Sequence, residues 1–354
     1  MLRKIIHILV FFNLFALGIV SLGSYVAWQY PMELLTHFRV QYFILSLIIT
    51  AILSILYSRR YLKNKFLIFC ALGLVGLNAI EVIPWYLPHA QQVTQNTSES
   101  IRLLQFNVNI QNNRYQEIIN TVRFEAPDIA LFIEVDQNSV NKLNAGLKDI
   151  LPYTFKSPGG GLSLLSRVPI QDARGDDLNA KNTNLIATFL INNQPVELIG
   201  THPFVPIKQS TFHRRNLQLA ALSNYVQKLE VPVIVAGDFN LTPWSPYYRM
   251  FVKKTKLHNT RLGYGTLPSW IRDASYLHYP KLLIFLMEHF LNIPIDHCFV
   301  SNDFKVAGIH LGNNANSDHA PVISDLVLKK KGQNYPIPSK GAATKIISPP
   351  RWAL

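Results

Sequence analysis

Three apolar stretches crowded into the first ninety residues constrain this chain more than anything that follows them. They cover residues 5–27, 40–57 and 66–83, each near the ~20 residues an α-helix needs to cross a hydrocarbon core of ~30 Å. Lipid leaves no water to satisfy an open backbone, so such stretches must be helical. Three transmembrane helices are therefore predicted. For the first, a cleaved signal peptide is the alternative, because Arg3 and Lys4 precede it. Its apolar run, however, exceeds the ~7–15 residues of such leaders, and no small-x-small site follows. Composition agrees with lipid-embedded segments: apolar residues make up 49% of the chain and charged ones 16%, against about a quarter charged in soluble domains.

Charge sets the orientation. The loop between the second and third stretches carries Arg59, Arg60, Lys63 and Lys65, whereas the one between the first and second has Arg39 against Glu33. Positive residues stay cytoplasmic, so everything after residue 83 is expected outside, on the periplasmic or other extracytoplasmic side of an inner (plasma) membrane. The net charge of +13 divides into excesses of four over residues 1–99, three over 100–328 and six over 329–354. The central region is thus nearly balanced, which does not support a broad nucleic-acid-binding face there. Cys70 lies in a helix and Cys298 in the distant soluble region, so the external part must fold without a disulfide. Asn13, Asn78 and Glu81 read as helix-packing or interfacial residues, with a transport path as the weaker alternative.

The domain plan is an anchor over 1–87, a polar linker over 88–100, one domain over 101–328 and a basic, disordered tail over 329–354. The domain reads as strands at 101–108, 128–135, 195–201, 231–236, 295–300 and 321–328, with helices at 114–125 and 213–229. Short β-branched runs alternating with amphipathic helices give a mixed-sheet α/β or α+β fold. The apolar core of residues 282–291 is too short to span lipid. It reads as a buried helix covering a sheet, the alternative being a helix that dips an apolar face into the membrane interface and favours a lipid-like substrate. Lys253, Lys254 and Lys256 read as a solvated face, and Trp244, Tyr247, Tyr248 and Trp270 as core aromatics rather than base-stacking platforms.

Polar residues recur at the ends of apolar strands, where a sheet edge can project them into one cleft: Asn107, Glu134, His202, Asp238, Asn240, Asp296, Asp318 and His319. They sit in six short motifs, Gln105-Phe106-Asn107-Val108, Ile133-Glu134-Val135, Gly200-Thr201-His202, Gly237-Asp238-Phe239-Asn240, Ile295-Asp296-His297 and Ser317-Asp318-His319. In that order and over residues 100–328 the chain resembles the endonuclease/exonuclease/phosphatase superfamily, whose fold is typified by pancreatic deoxyribonuclease. The resemblance implies two packed mixed β-sheets flanked by helices, a four-layer sandwich with the site at one end, here preceded by the three transmembrane helices. It also implies a phosphoesterase requiring Mg²⁺ or Mn²⁺.

The residue types suit that chemistry, because ester hydrolysis at phosphorus needs a hard cation, an activated water and donors for the developing charge. The resemblance makes Glu134 the principal metal ligand, with Asn107 positioning the metal or phosphate and Asp318 adding a second metal contact. It assigns the water to Asp238, phosphate hydrogen bonds to Asn240, His202 and His319, and the charging of His319 to Asp296. His297 receives no duty. Nucleic acid, a lipid headgroup and a small phosphate ester all remain open as substrates; membrane lipid is an expected partner and no obligate protein partner is. A catalytically silent, membrane-tethered scaffold is the alternative function.

Overall fold

The computed structural model describes residues 2–93 and 100–329. Residues 94–99 of the expected linker and nearly all of the expected basic tail lie outside the described residues. The N-terminal helical segment comprises α1 (Leu2–Gly23), a 3-10 turn over Met32–Phe38, α2 (Arg39–Ser58), α3 (Phe66–Val82) and a second 3-10 turn over Ile83–Tyr86. With their adjoining turns, the helices of Met32–Ser58 and Phe66–Tyr86 are long and apolar enough to cross a membrane, while the apolar stretch Ile8–Gly23 of α1 is shorter.

These three helices are tied together at one end. Arg39 is fully buried and donates to Ser21 O at 3.0 Å, to Asn78 Oδ1 at 2.9 Å and to the Ser24 hydroxyl. Asn78 is thus a packing residue. Glu81, at the same end, pairs with Arg249 of the following domain at 3.2 Å.

The domain's strands are β1 (Ser100–Asn107), β2 (Ile129–Ile133), β3 (Tyr153–Lys156), β4 (Leu162–Ser166), β5 (Ile170–Asp176), β6 (Asn184–Ile191), β7 (Gln194–Thr201), β8 (Val233–Asp238), β9 (His258–Asn259), β10 (Asp296–Val300), β11 (Phe304–Leu311) and β12 (Val322–Leu328). They form two six-stranded sheets, ordered β11-β12-β1-β2-β4-β3 and β5-β6-β7-β8-β10-β9. Both are mixed: β1 and β2 are parallel, as are β7 and β8, and the other pairings are antiparallel. Each parallel pair needs a crossover helix, supplied by α4 (Tyr115–Glu125) and α6 (Gln209–Val226). With α5 (Gln137–Leu147) beside α4 and α7 (Pro246–Thr255) beside α6, the layers run helix, sheet, sheet, helix.

A strand covered on both faces cannot alternate polar and apolar residues. β2, Ile-Ala-Leu-Phe-Ile, is buried throughout. Its Ile129, Leu131 and Ile133 face the other sheet, joining Leu185, Leu198, Ile234 and Ala236, while Ala130 and Phe132 face the helices, joining Ile118, Val122 and Leu143. The sheets approach so closely that a Cβ at Gly200 would stand 2.7 Å from Leu131 Cδ1. Truncating Leu131 to Ala should leave a cavity costing ~2–5 kcal/mol.

The N-terminal helical segment is docked on this sandwich. Trp85 packs among Phe212, Tyr247 and Tyr248 on α6 and α7, its carbonyl accepting from Gly263 N and Gly265 N at 3.1 and 2.7 Å. Trp244 Nε1 donates to Glu81 O at 3.0 Å, and Gln92 bridges to Val306. Trp244, Tyr247 and Tyr248 are core residues as expected. The helix of residues 282–291 is not the buried, sheet-covering helix that its apolar core predicts. This α8 (Lys281–Phe290) buries only Ile284 and leaves Leu282, Leu283, Phe285, Leu286 and Phe290 exposed.

Candidate active site

The parallel pairs gather the polar residues at one end of the sandwich. Asn107 ends β1 and Glu134 follows β2; His202 follows β7 and Asp238 ends β8. Asp296 opens the antiparallel β10 directly opposite Asp238, and Ser317–His319 lead into β12. Gly237 has φ of +153°, and a Cβ there would stand 1.9 Å from Thr201 O. Only glycine lets β8 run this close to the end of β7. Two of the gathered residues carry left-handed backbone, Glu134 at φ +60° and Asn240 at φ +51°. Such conformations cost about 1–3 kcal/mol each and persist where surrounding structure imposes them, often at functional sites.

Asn107 stands at the centre, its amide donating to Glu134 Oε1 at 2.9 Å and to Asp238 Oδ2 at 3.2 Å. Across from it, His202 Nε2 lies 3.6 Å from Glu134 Oε1 and 3.8 Å from Asp238 Oδ2, and it has no hydrogen-bond partner among the described residues. His319 Nε2 lies 3.7 Å from the same Asp238 oxygen, while its Nδ1 meets Asp296 Oδ2 at 2.8 Å. Ser269 Oγ donates to that Asp296 oxygen at 2.6 Å. Asp238 Oδ1 accepts from Asn240 N at 2.9 Å, and the Asn240 side chain donates to Pro203 O at 3.0 Å.

The ligand atoms of Glu134, His202 and Asp238 lie within 4.8 Å of one another, as do those of Asp238, Asp296 and His319. Carboxylate oxygens around a half-exposed Glu134, beside an imidazole nitrogen without a partner, fit a hard divalent cation whose remaining positions are taken by water or substrate. Charge within the cluster is uneven. Burial, then the neighbouring Asp296 carboxylate, pushes Asp238 up to about 8, against His319 and the Asn240 backbone N–H. Burial disfavours the charged form of His319, but Asp296 and Asp238 outweigh it and push the imidazole up to about 10. Asp296 is held below the usual carboxylate range despite burial, by His319, Ser269 and Arg261. Burial lowers His202, with His319 adding to the effect against Glu134. Two imidazoles thus face one carboxylate with opposite tendencies, His319 toward imidazolium and His202 toward neutrality.

Asp318 is placed differently from its expected metal contact. One of its carboxylate oxygens accepts from Asn109 Nδ2 at 2.9 Å and the Tyr276 hydroxyl at 2.7 Å, the other from Trp270 Nε1 at 3.1 Å. With both oxygens satisfied, it lies outside both clusters. His297 is fully buried and structural, its Nε2 donating to Leu241 O at 2.9 Å and its Nδ1 accepting from Asn259 at 3.0 Å.

Sequence reasoning missed the supports. Arg215 of α6, fully buried, donates to Asn240 O at 3.2 Å and pairs at 3.3 Å with Glu33, itself fully buried in the turn before α2. His37 of the same turn meets the Thr242 hydroxyl at 3.0 Å. The N-terminal helical segment therefore braces the loop that follows Asp238. Arg261 donates to Asp296 O, and Trp270 pairs with both Ile293 and His319 in isolated bridges. None of these residues stands in a strand-end pattern, and only long-range packing gives them a place.

A family model described as Endonuclease/Exonuclease/phosphatase family matches residues 104–319. No curated protein matches. Among solved structures, an endonuclease/exonuclease/phosphatase from Beutenbergia cavernae is similar at 19% identity and TM-score 0.51, over 66% of this chain and 72% of its own. A functionally unknown conserved protein from Enterococcus faecalis is similar at 16% and 0.51, over 65% and 100%. A truncated Caenorhabditis elegans TDP2 is similar at 16% and 0.51, over 64% and 98%. At these identities the likeness speaks to the fold.

Proposed function

Since this chain belongs to the endonuclease/exonuclease/phosphatase family, whose members are in general metal-dependent hydrolases of phosphate esters, we propose that it is a membrane-anchored, divalent-metal-dependent phosphoesterase. The observation that carries the reading is the convergence of Asn107, Glu134, His202, Asp238, Asp296 and His319 at one end of the sandwich, within hydrogen-bonding or ion-pair distance of one another. Glu134, with Asn107 and Asp238 beside it, would hold Mg²⁺ or Mn²⁺, which when bound supplies charge to the phosphoryl oxygens.

The protein's own groups do the rest. Asp238 orients a water and accepts its proton, as a carboxylate whose proton affinity burial has raised can do near neutral pH. The water oxygen bonds to phosphorus, the ester P–O bond breaks, and the leaving alkoxide takes a proton from solvent water to become an alcohol, the proton held by Asp238 returning to solvent. His319, kept charged by Asp296, presents Nε2–H to the negative charge that builds on phosphate. His202 offers its neutral ring from the other side, and Asn240 hydrogen-bonds phosphate. Asp318 is better cast as a brace for Trp270, Tyr276 and Asn109 than as a metal ligand.

The setting we propose is a multi-pass inner membrane with α1, α2 and α3 spanning it and the catalytic domain outside the cytoplasm. The basic loop with Arg59, Arg60, Lys63 and Lys65 lies at the helix ends remote from those that touch the domain, which supports this direction. The test is hydrolysis of bis-p-nitrophenyl phosphate, phosphomonoesters and plasmid DNA by the detergent-solubilised chain, with Mg²⁺ or Mn²⁺ and with chelator. Metal-dependent release of product is expected. Silence toward every ester in every metal would favour the scaffold reading.

A further inference from the structure

Two apolar rims flank the cleft, and both are fastened to the anchor. The first is α8. Leu282, Leu286 and Phe290 recur every four residues and share one face with Leu283 and Phe285, all of them exposed, Leu282 at 70%. The opposite face holds the helix to the domain through Ile284 and an ion pair between Glu288 and Arg272 at 3.7 Å. Just after α8, Ile293 pairs with Trp270, which pairs in turn with His319, so Trp270 alone stands between the segment that follows the helix and His319. The second rim follows the other imidazole: three and five residues beyond His202, Val205 and Ile207 are exposed, Ile207 at 67%.

One rim is tied to the first turn of α2 and the other to the short segment joining α1 to α2. Gln41, in the first turn of α2, donates to Asn292 O at 3.1 Å, and the Tyr30 hydroxyl donates to Ile207 O at 2.8 Å. That segment exposes Trp28, Met32 and Leu35. If α2 spans the bilayer, its first turn lies at the water–lipid boundary, and the rims beside His319 and His202 are held at that depth by direct hydrogen bonds. Exposed apolar side chains stand on the anchor helices, on this segment and on both rims, and a concentration of that kind marks an interaction site rather than ordinary surface. The hydrogen bonds that join the rims to the start of a helix long and apolar enough to cross a membrane, and to the segment leading into it, select the bilayer as occupant.

We propose that α8 and the Val205–Ile207 loop rest in the bilayer interface, so that the cleft opens onto the membrane surface and the substrate is a phosphate ester carried by a lipid. The substrate part rests on the phosphoesterase reading; the docking part does not. A lipid phosphate rising between the rims meets His202 on one side and His319 on the other, while its acyl portion stays in apolar surroundings. A soluble ester reaches the same groups without help from the rims.

The experiment uses the full chain in vesicles of phosphatidylcholine, phosphatidylethanolamine and phosphatidylglycerol. In a Cys70→Ala background, with Cys298 buried, a fluorophore is placed at Leu286→Cys or, as control, at exposed Asn141→Cys on α5, and nitroxide-bearing lipids serve as quenchers. Quenching at position 286 well above that at 141 is expected; equal quenching, or shielding of 286 from lipid by another protein, overturns the docking. In the same vesicles, Leu282→Ser/Phe285→Ser is expected to lower turnover of phosphatidylcholine, phosphatidylethanolamine or phosphatidylglycerol at least about tenfold while sparing bis-p-nitrophenyl phosphate, because each exposed anchor lost forfeits more than a factor of ten in partitioning. An equal loss on both esters, or lipid esters left intact while the soluble one is cleaved, overturns the lipid substrate. If neither ester is cleaved, the phosphoesterase reading fails, and the quenching result still decides the docking.

Discussion

Replacing Arg215 with Met tests whether the N-terminal helical segment supports the candidate active site. Arg215 and Glu33 are separated by 182 positions in the chain yet meet at 3.3 Å with neither side chain exposed. Removing one partner of such a pair leaves a buried charge without its counter-charge, which costs ~3–5 kcal/mol. At ~2–4 °C per kcal/mol for a domain of this size, melting should fall by roughly 6–20 °C. The same substitution removes the donor to Asn240 O, held at 3.2 Å, from a residue whose left-handed backbone persists only while its neighbours impose it. A misplacement of about 1 Å there is worth ~100-fold in turnover. Adding Glu33→Leu separates the two effects. Apolar replacement of a whole buried pair is often neutral or stabilising, so the double variant should melt near the original temperature but stay slow, since Asn240 O still lacks its donor. Differential scanning fluorimetry and initial rates on bis-p-nitrophenyl phosphate, both in detergent, provide the readouts. Full turnover in Arg215→Met, or recovery of rate together with stability in the double variant, would refute the argument.

Other consequences follow from the same geometry. Asp296→Asn removes the main support for a charged His319, whose pKa Asp296 and Asp238 together hold at about 10, so the alkaline limb of the kcat/KM profile should move toward lower pH; an unmoved limb would detach His319 from that limb. Glu134→Gln should weaken Mn²⁺ binding, read by electron paramagnetic resonance, by more than the about 10–100-fold that loss of an outer partner costs; unchanged affinity would place the metal elsewhere. His297 is buried neutral, and burial, then Arg261, lowers it to about 3, against about 6.5 unfolded. The unfolded chain therefore binds more protons over that window, and stability should fall with pH between 6.5 and 3 by up to ~1.4 kcal/mol per unit. Melting temperatures in detergent should decline across that range, less steeply for His297→Asn; parallel slopes would exclude His297 as the cause.

Sequence carried the sandwich well because its evidence is local. Runs such as Ile129–Ile133 and Val233–Asp238 are short, aliphatic and interrupted at the point where polar residues leave the sheet, and the parallel pairing of β1 with β2 and β7 with β8 turns those interruptions into one cleft. The carboxylates and imidazoles were legible for that reason. Arg215, Glu33 and Arg261 were not, because a lone buried charge carries no periodic signature and gains meaning only when a partner far along the chain arrives. Asp318 shows the reverse. Its motif marks it clearly, but the carboxylate's direction depends on Asn109, Trp270 and Tyr276, which no spacing rule connects. For α8, periodicity identified an apolar face without saying on which side of the domain it lies, and that side is exposed.

The most direct measurement is the Mg²⁺-dependent initial rate of phosphodiester hydrolysis by Asp238→Asn beside the unaltered chain, with circular dichroism and melting recorded on both. Asp238 contacts Asn107 and Asn240 and stands 3.7–3.8 Å from both imidazoles, and an amide keeps that shape without accepting a proton. The account predicts a folded variant slowed by ~100–10,000-fold, the contribution of a general base. A folded variant with near-normal turnover would contradict it.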